Sequence, residues 1–324
     1  MADREAVRLL IVGGGPAAFT AAMYAARAGL RPLCVEGYDS GGQISRSSRV
    51  ENFPGFPEAV EGSELAGLIR TQAVKYGARA VYEEVVEVDL GVTPFSVVTT
   101  GPAFAADALI VATGSVPHRL QVTGEEEWDG RGVAYCAICD GPMFAGKRVV
   151  VVGGGDAAIE EVLSLRKICS EVTLVHRRTE FRASHVSQAA LAQASDIVVL
   201  TPYILEEILG EDGPGVTAVK IRNLEEGSTS YRETDGVFVA VGQQPSSALF
   251  TPWLHSDERG FLLHQPGSTA TNVAGVFVAG DVADARYRQA ITAAGTGCAA
   301  AIDAERWLLG ARSTAQIEMA LSTI

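Results

Sequence analysis

The chain has 324 residues, enough for about two domains at roughly 150 residues each, and 47% hydrophobic with 20% charged content is globular rather than disordered composition. Acidic residues outnumber basic ones 39 to 26, a net charge of −13 that argues against nucleic acid as the main partner, although a local basic cluster can still hold one small anion. No apolar run approaches the roughly 18 residues a membrane span needs, the start Met1-Ala2-Asp3-Arg4-Glu5 lacks a signal-peptide layout, and five cysteines are too few for a disulfide framework, so a cytoplasmic protein with no membrane partner is expected.

The first predicted element is a buried strand, Val7 to Val12, which runs into Gly13-Gly14-Gly15-Pro16-Ala17-Ala18. Ala17 to Ala28 then has helical spacing, and Pro32-Leu33-Cys34-Val35 reads as a second strand. Continuous runs of β-branched residues and Leu mark buried parallel strands, so this is a βαβ unit. Ala108 to Val111 is a further buried strand, ending in the small turn Ala112-Thr113-Gly114. Next come Cys136-Ala137-Ile138-Cys139-Asp140 and then a second βαβ unit: the strand Lys147 to Val152, the turn Gly153-Gly154-Gly155-Asp156-Ala157-Ala158, a helix over Ala157 to Lys167, and the strand Val172 to Val175. Two more strands end in the same way, Val237 to Val241 at Gly242 and Val276 to Ala279 at Gly280-Asp281.

Both glycine turns match G-x-G-x-x-A, at Gly13, Gly15 and Ala18 and at Gly153, Gly155 and Ala158. The first Gly of such a turn allows the tight bend, the second lets a pyrophosphate approach the backbone, and the third small residue lets helix and strand pack closely. The helix N-terminus supplies free N–H groups to the phosphates. One such match is weak evidence, because an ordinary strand–turn–helix can produce it; two, each between a strand and a helix, are much stronger. The ends of the second strands separate the two sites. Glu36, a little over 20 residues after the first turn, suits ribose hydroxyls, as FAD or NAD requires. The equivalent slot in the second unit holds His176, Arg177 and Arg178, with Arg182 close behind and no carboxylate at that position, which suits the 2′-phosphate of NADPH. Asp281 can accept from the ribityl chain of a flavin.

The C-x-x-C at Cys136 and Cys139 admits three readings: half a zinc site, a buried structural pair, or a redox dithiol. Cys34, Cys169 and Cys298 are scattered and no His pairs with them, so no metal is expected. A dithiol beside flavin and nicotinamide motifs would complete a two-electron relay, with Asp140 placed to hold or supply a proton. The FAD-type segments flank the second βαβ unit. The expected architecture is therefore α/β with two Rossmann-like nucleotide-binding domains: a discontinuous FAD-binding domain, residues 1–115 and 246–324, and an inserted NADPH-binding domain, residues 116–245, that carries the C-x-x-C.

These segments, with Gly41-Gly42-Gln43, Val50-Glu51-Asn52-Phe53-Pro54-Gly55-Phe56 and Tyr287-Arg288-Gln289-Ala290, resemble the low-molecular-weight NADPH-dependent thioredoxin reductases from about Leu9 to Trp307. Departures are Ile138 where Thr or Val is familiar, Ile44 to Arg49 where threonines are usual, Gln243 where His is common, and a C-terminus continuing to Ile324. The resemblance implies a homodimer that reduces the disulfide of thioredoxin or a thioredoxin-like protein, with Cys139 facing the flavin, Cys136 exchanging with the substrate, and a rotation between domains. With the motifs, it assigns FAD to Gly13, Gly15, Pro16, Ala17, Ala18, Glu36, Gly42, Gln43, Asn52, Val86, Ala112, Thr113, Gly114, Gly280, Asp281, Arg288, Gln289 and Ala290. It assigns NADPH to Gly153, Gly155, Asp156, Ala157, Ala158, Glu160, His176, Arg177, Arg178, Arg182 and Gly242. Two alternatives keep part of this pattern: a relative reduced by another donor such as ferredoxin, and a flavin-dependent dithiol oxidase passing electrons to oxygen. Neither needs the arginine cluster.

Overall fold

The structure, a computed structural model, describes residues 4–321 and the side chains of residues 4–310. The part of the C-terminal extension beyond Gly310 thus lies outside the described side chains. The chain divides into two compact units, Met1–Val116 with Gln244–Ile324, and Pro117–Gln243.

In chain order the first unit opens with β1 (Glu5–Val12), α1 (Pro16–Arg27), β2 (Leu33–Val35), α2 (Gly62–Lys75), β3 (Arg79–Val81), β4 (Val85–Asp89), β5 (Phe95–Thr99) and β6 (Ala103–Val111). The short strands β7 (Ser115–Pro117) and, much later, β16 (Gln243–Pro245) pair with each other where the chain leaves and re-enters this unit. The second unit holds β8 (Val133–Ala134), α3 (Ala137–Asp140), β9 (Arg148–Gly153), α4 (Asp156–Leu165), β10 (Glu171–Val175), α5 (His185–Ala192), β11 (Ile197–Leu200), β12 (Tyr203–Glu211), β13 (Gly215–Asn223), β14 (Thr229–Glu233) and β15 (Gly236–Ala240). The first unit is completed by β17 (Val276–Val278) and α6 (Ala290–Leu321).

Each unit is built on a Rossmann-like sheet with a parallel core. In the first the order is β3-β2-β1-β6-β5-β4, with β17 parallel to the C-terminal half of β6 and β5 antiparallel to its N-terminal half. In the second it is β11-β10-β9-β15-β8, parallel throughout. The side-chain period of 2 in a strand explains the apolar runs. Leu9 and Ile11 of β1 face α1 and α6, packing with Phe19, Ala22, Ala300 and Ala304. Leu10 and Val12 face the other way, onto Leu33, Phe95, Val97 and Phe250. β9 repeats the arrangement: Val149 and Val151 pack against Ile159, Val162 and Leu165 of α4, while Val150 and Val152 pack against Leu205, Ile208 and Val219 of the antiparallel β12-β13-β14 sheet. The central strand of each unit is thus covered on both faces, and its C-terminal end opens at a glycine turn.

Candidate active site

In the first unit β1 ends at Gly13, whose N–H donates to Val35 O at 2.9 Å. Gly13 adopts φ +134°, and a Cβ there would collide with the carbonyl oxygen of Ala112, so only glycine can take the bend. Gly15 is the N-cap of α1 and Pro16 follows at its first position, where the missing N–H is an orphan donor in any residue. Gly42, at φ +65°, stands opposite: a Cβ on it would come 3.1 Å from Gly15 Cα, whereas a Cβ on Gly15 would find nothing nearer than 3.8 Å. Gln43 opens the single-turn helix that follows Gly42. Backbone and α1 N-terminus therefore form a cradle bare of side chains.

The other predicted FAD residues belong to the same unit. Thr113 Oγ1 donates to Ser246 O at 2.7 Å, and Gly114 O accepts from Ser246 N–H at 2.9 Å. Asn52 Nδ2 donates to Gln289 Oε1 at 3.4 Å, joining segments 237 positions apart. Gly280 donates its N–H to Thr296 Oγ1 at 2.9 Å, next to the start of α6 at Ala290. Arg288 has φ +50°, and its turn is organised by Asp284, which accepts the N–H groups of Arg286, Tyr287 and Arg288 at 2.8–3.0 Å. Asp281 is half-buried, and its Oδ1 is buried with no hydrogen-bond partner among the described residues. Burial, reinforced by the charge of Asp284, pushes its carboxyl up to about 6. A buried acceptor without a donor is costly, and a ligand hydroxyl would satisfy it, as the ribityl chain of FAD can. The residues present fit that group.

Glu36 has only 4% of its surface exposed. Its carboxylate accepts from Arg70 Nε and Nη2 at 2.8 and 2.7 Å and from Ser40 Oγ at 2.6 Å. Burial opposes the anion, but the Arg70 and Ser40 hydrogen bonds outweigh it and hold the carboxyl below its ordinary value. Val86 lies half exposed on β4.

The second glycine turn copies the first. A Cβ on Gly153 would collide with Ala240 O at the end of β15, the counterpart of Gly13 against Ala112. Gly154 lies against the ring of His176, with no room for a side chain. A Cβ on Gly155 would meet nothing within 4 Å, so this N-cap of α4 is open. Ala158 is buried against the sheet, while Ala157 and Glu160 are exposed on α4. His176 donates from Nε2 to Glu180 O at 3.1 Å and stacks on Phe181 with ring centroids 5.0 Å apart. Burial holds its imidazole below the ordinary value, and Arg178, Arg182 and Arg177 add to the effect. Those three arginines are exposed, and none forms an ion pair among the described residues. Three unpaired guanidiniums in a chain of net charge −13 are a ready anion site. Together with the open Gly155 they fit NADPH. Gly242, at φ +113°, accepts the His118 N–H at 3.0 Å.

The same unit carries the cysteines. Cys136 and Cys139 form a disulfide, with Cα atoms 5.3 Å apart. Cys136 caps α3, and its Sγ accepts the Cys139 N–H at 3.1 Å. An N–H aimed at this sulfur favours its thiolate once the bond is reduced. Asp140, whose N–H donates to Cys136 O, is largely buried, and this with the nearby charge of Asp129 raises its carboxyl to about 6. Asp129 is itself paired with Arg119 at 2.6 Å, and Arg119 lies over the ring of Tyr135, which precedes Cys136. No cluster able to hold a metal ion occurs among the described residues.

Residues 7–297 match the pyridine nucleotide-disulphide oxidoreductase family. The chain belongs to that family. Within it the chain falls with the low-molecular-weight thioredoxin reductases. It is 46% identical over 303 residues to a thioredoxin reductase of Rickettsia bellii, covering 93% of this chain and 98% of that one. It is 43% identical to thioredoxin reductase 2 of Arabidopsis thaliana, over 94% of this chain and 83% of the plant protein. Thioredoxin reductase from Giardia duodenalis superposes with a TM-score of 0.90 at 41% identity, over 94% of this chain and all of that one.

Among the residues expected from the sequence, the oxidoreductase fold brings Gly15 to Gly42, Asn52 to Gln289, and His176 to the Gly154 turn. It also brings in residues that sequence reasoning missed: Arg70 on Glu36, Asp284 under the Arg288 turn, and Ser184 and Ser187 on Asp156. None of these carries a local signal. Each lies on another element or in a plain loop.

Proposed function

We propose that the chain is an NADPH-dependent disulfide reductase that passes electrons through FAD and the Cys136/Cys139 dithiol to the disulfide of thioredoxin or a thioredoxin-like protein. The carrying observation is the Cys136–Cys139 disulfide in the same unit as an open glycine turn flanked by three unpaired arginines.

The residue roles are our reading. Residues 1–115 and 246–324 bind FAD, through the Gly13–Gly15 turn, Gly42, Glu36, Asn52, Gln289 and Asp281. Residues 116–245 bind NADPH, through the Gly153–Gly155 turn, His176, Arg177, Arg178 and Arg182. FAD, when bound, supplies two-electron transfer between the nicotinamide and the disulfide. The chain's own residues manage protons and sulfur. Cys136, with an N–H on its sulfur, is the thiolate that attacks the incoming disulfide and forms the mixed disulfide; Cys139 then attacks Cys136 Sγ and releases the reduced partner. One sulfur cannot serve both ends of this exchange. Asp140, poised near 6, takes the thiol proton as each thiolate forms and returns it as each leaves. The enzyme works as a homodimer in the cytoplasm; no described helix is long and apolar enough to cross a membrane.

A ferredoxin-linked reductase or an oxygen-using dithiol oxidase has no use for three unpaired arginines at the second turn, which favours NADPH as the donor. The test is anaerobic titration of the yellow protein with NADPH, followed by addition of oxidised thioredoxin. Bleaching of the flavin band by NADPH and its recovery on adding thioredoxin are expected. A colourless protein that FAD cannot reconstitute, or equal kcat/KM for NADPH and NADH, would overturn the reading.

A further inference from the structure

We propose that Asp156 is a positioning residue for dinucleotide specificity, which does not bind the cofactor but holds, through Ser184 and Ser187, the loop that presents Arg177, Arg178 and Arg182. The inference rests on the NADPH reading above and adds a residue that decides how that site discriminates.

Asp156 is the first residue of α4, immediately after the open Gly155. Position for position it corresponds to Pro16 in the first turn, where no charge is present. A free carboxylate at a helix N-terminus meant for pyrophosphate would repel the ligand. This carboxylate is instead engaged by two serines. Its Oδ1 accepts the Ser184 N–H at 2.9 Å and the Ser187 hydroxyl at 2.6 Å. Ser184 caps α5 by accepting the Ser187 N–H at 3.3 Å, and the two hydroxyls lie 3.1 Å apart. These contacts keep the Asp156 carboxyl down at about 2, with Ser187 the largest contributor, so it is an anion throughout the working range.

The tie matters because of what lies between. The basic loop is fixed at its start by His176, packed under Gly154 and bonded to Glu180 O. Towards its far end Arg182 N–H donates to Gly154 O at 2.9 Å. Its far end is held by Asp156. Among the described residues the three guanidiniums have no carboxylate partner to orient them, so their placement follows from the backbone that carries them. Pre-organising that backbone strengthens grip on a 2′-phosphate without touching the remainder of the dinucleotide.

The test uses the FAD-loaded enzyme and its Asp156→Ala, Asp156→Asn and Ser187→Ala variants. It measures binding of 2′,5′-ADP and of 5′-AMP by calorimetry, and kcat and KM with NADPH and NADH. Wild type should prefer 2′,5′-ADP. Loss of that preference in the wild type would strike the NADPH reading itself, before any variant is considered. Asp156→Ala should raise KM for NADPH and weaken 2′,5′-ADP by roughly tenfold, the scale of one charge-assisted hydrogen bond, with NADH and 5′-AMP changed by less than about twofold. Ser187→Ala should show a smaller loss of the same kind. Asp156→Asn should retain most of the preference, because the amide oxygen still accepts from both serines. Equal weakening of both adenosine ligands, unchanged binding, or tighter 2′,5′-ADP binding in Asp156→Ala would each overturn the proposal, the last by showing that the carboxylate faces the phosphate. Flavin absorbance and Tm, unchanged across the set, keep a folding defect from being read as specificity.

Discussion

Arg70 reaches from α2 to the end of β2 and closes both Nε and Nη2 on the buried Glu36 carboxylate, at 2.8 and 2.7 Å. The pair sits where the sequence places the ribose of FAD, so on the proposed reading Arg70 sets both the charge and the orientation of the acid that would meet that ribose. Arg70→Ala leaves a buried anion with only Ser40, and we expect a loss of about 1–3 kcal/mol of stability, less than for a wholly buried pair because Arg70 is partly exposed. The Glu36 carboxyl lies below its ordinary value, so this contribution is complete above the usual carboxylate range and is lost as pH falls through the folded value. Thermal unfolding of wild type and Arg70→Ala between pH 3 and 8 checks it: the two curves should converge in acid, and a constant gap would show that the Glu36 charge is not involved.

Cys136→Ser and Cys139→Ser should both leave reduction of FAD by NADPH intact while abolishing turnover of a disulfide protein. Only Cys139→Ser keeps Cys136, the proposed attacking sulfur, so it should trap a covalent mixed disulfide with the partner. Stopped-flow flavin reduction and non-reducing electrophoresis read the two steps separately. Near-wild-type turnover in either variant would mean that the pair is structural.

Asp140 titrates near 6, raised by burial and by Asp129. In the proposed relay it accepts a thiol proton only when ionised, so disulfide turnover should fall as pH drops below about 6, tenfold per pH unit once the group is protonated. Asp140→Asn should be slower at pH 7–8 and should lack that limb. A pH profile of kcat/KM for the disulfide substrate decides; persistence of the limb in Asp140→Asn would assign it to another group.

Asp281 Oδ1 is buried without a donor, and its carboxyl also sits near 6. A ligand hydroxyl donated to the anion is worth about 1.5–3 kcal/mol, so Asp281→Ala should release FAD roughly tenfold or more readily. The wild type should hold FAD less tightly below about pH 6, where the acceptor is protonated, and Asp281→Ala should show no such step. Free flavin after ultrafiltration across the pH range measures both.

Short-range rules made much of this protein legible. Continuous apolar runs marked β1, β9, β15 and β17, because a strand covered on both faces has no polar side. Glycines marked both turns, because Gly13 must adopt a positive φ and Gly153 must pass beneath a carbonyl. The Cys136/Cys139 spacing pointed to the disulfide. All of these follow from a residue and its near neighbours in the chain. What the tertiary structure alone decided depends on elements that meet only after folding. Glu36 reads as a free acceptor in sequence, yet α2 brings Arg70 onto it. Asp156 reads as part of a phosphate turn, yet α5 arrives with Ser184 and Ser187 to take its carboxylate. Asp281 reads as an acceptor for a ribityl chain, yet only packing shows that its Oδ1 is buried without a donor and that its proton affinity is raised. Charge and hydrogen bonding act across space rather than along the chain, so the partner of a buried carboxylate is a property of packing and leaves no local mark in the sequence.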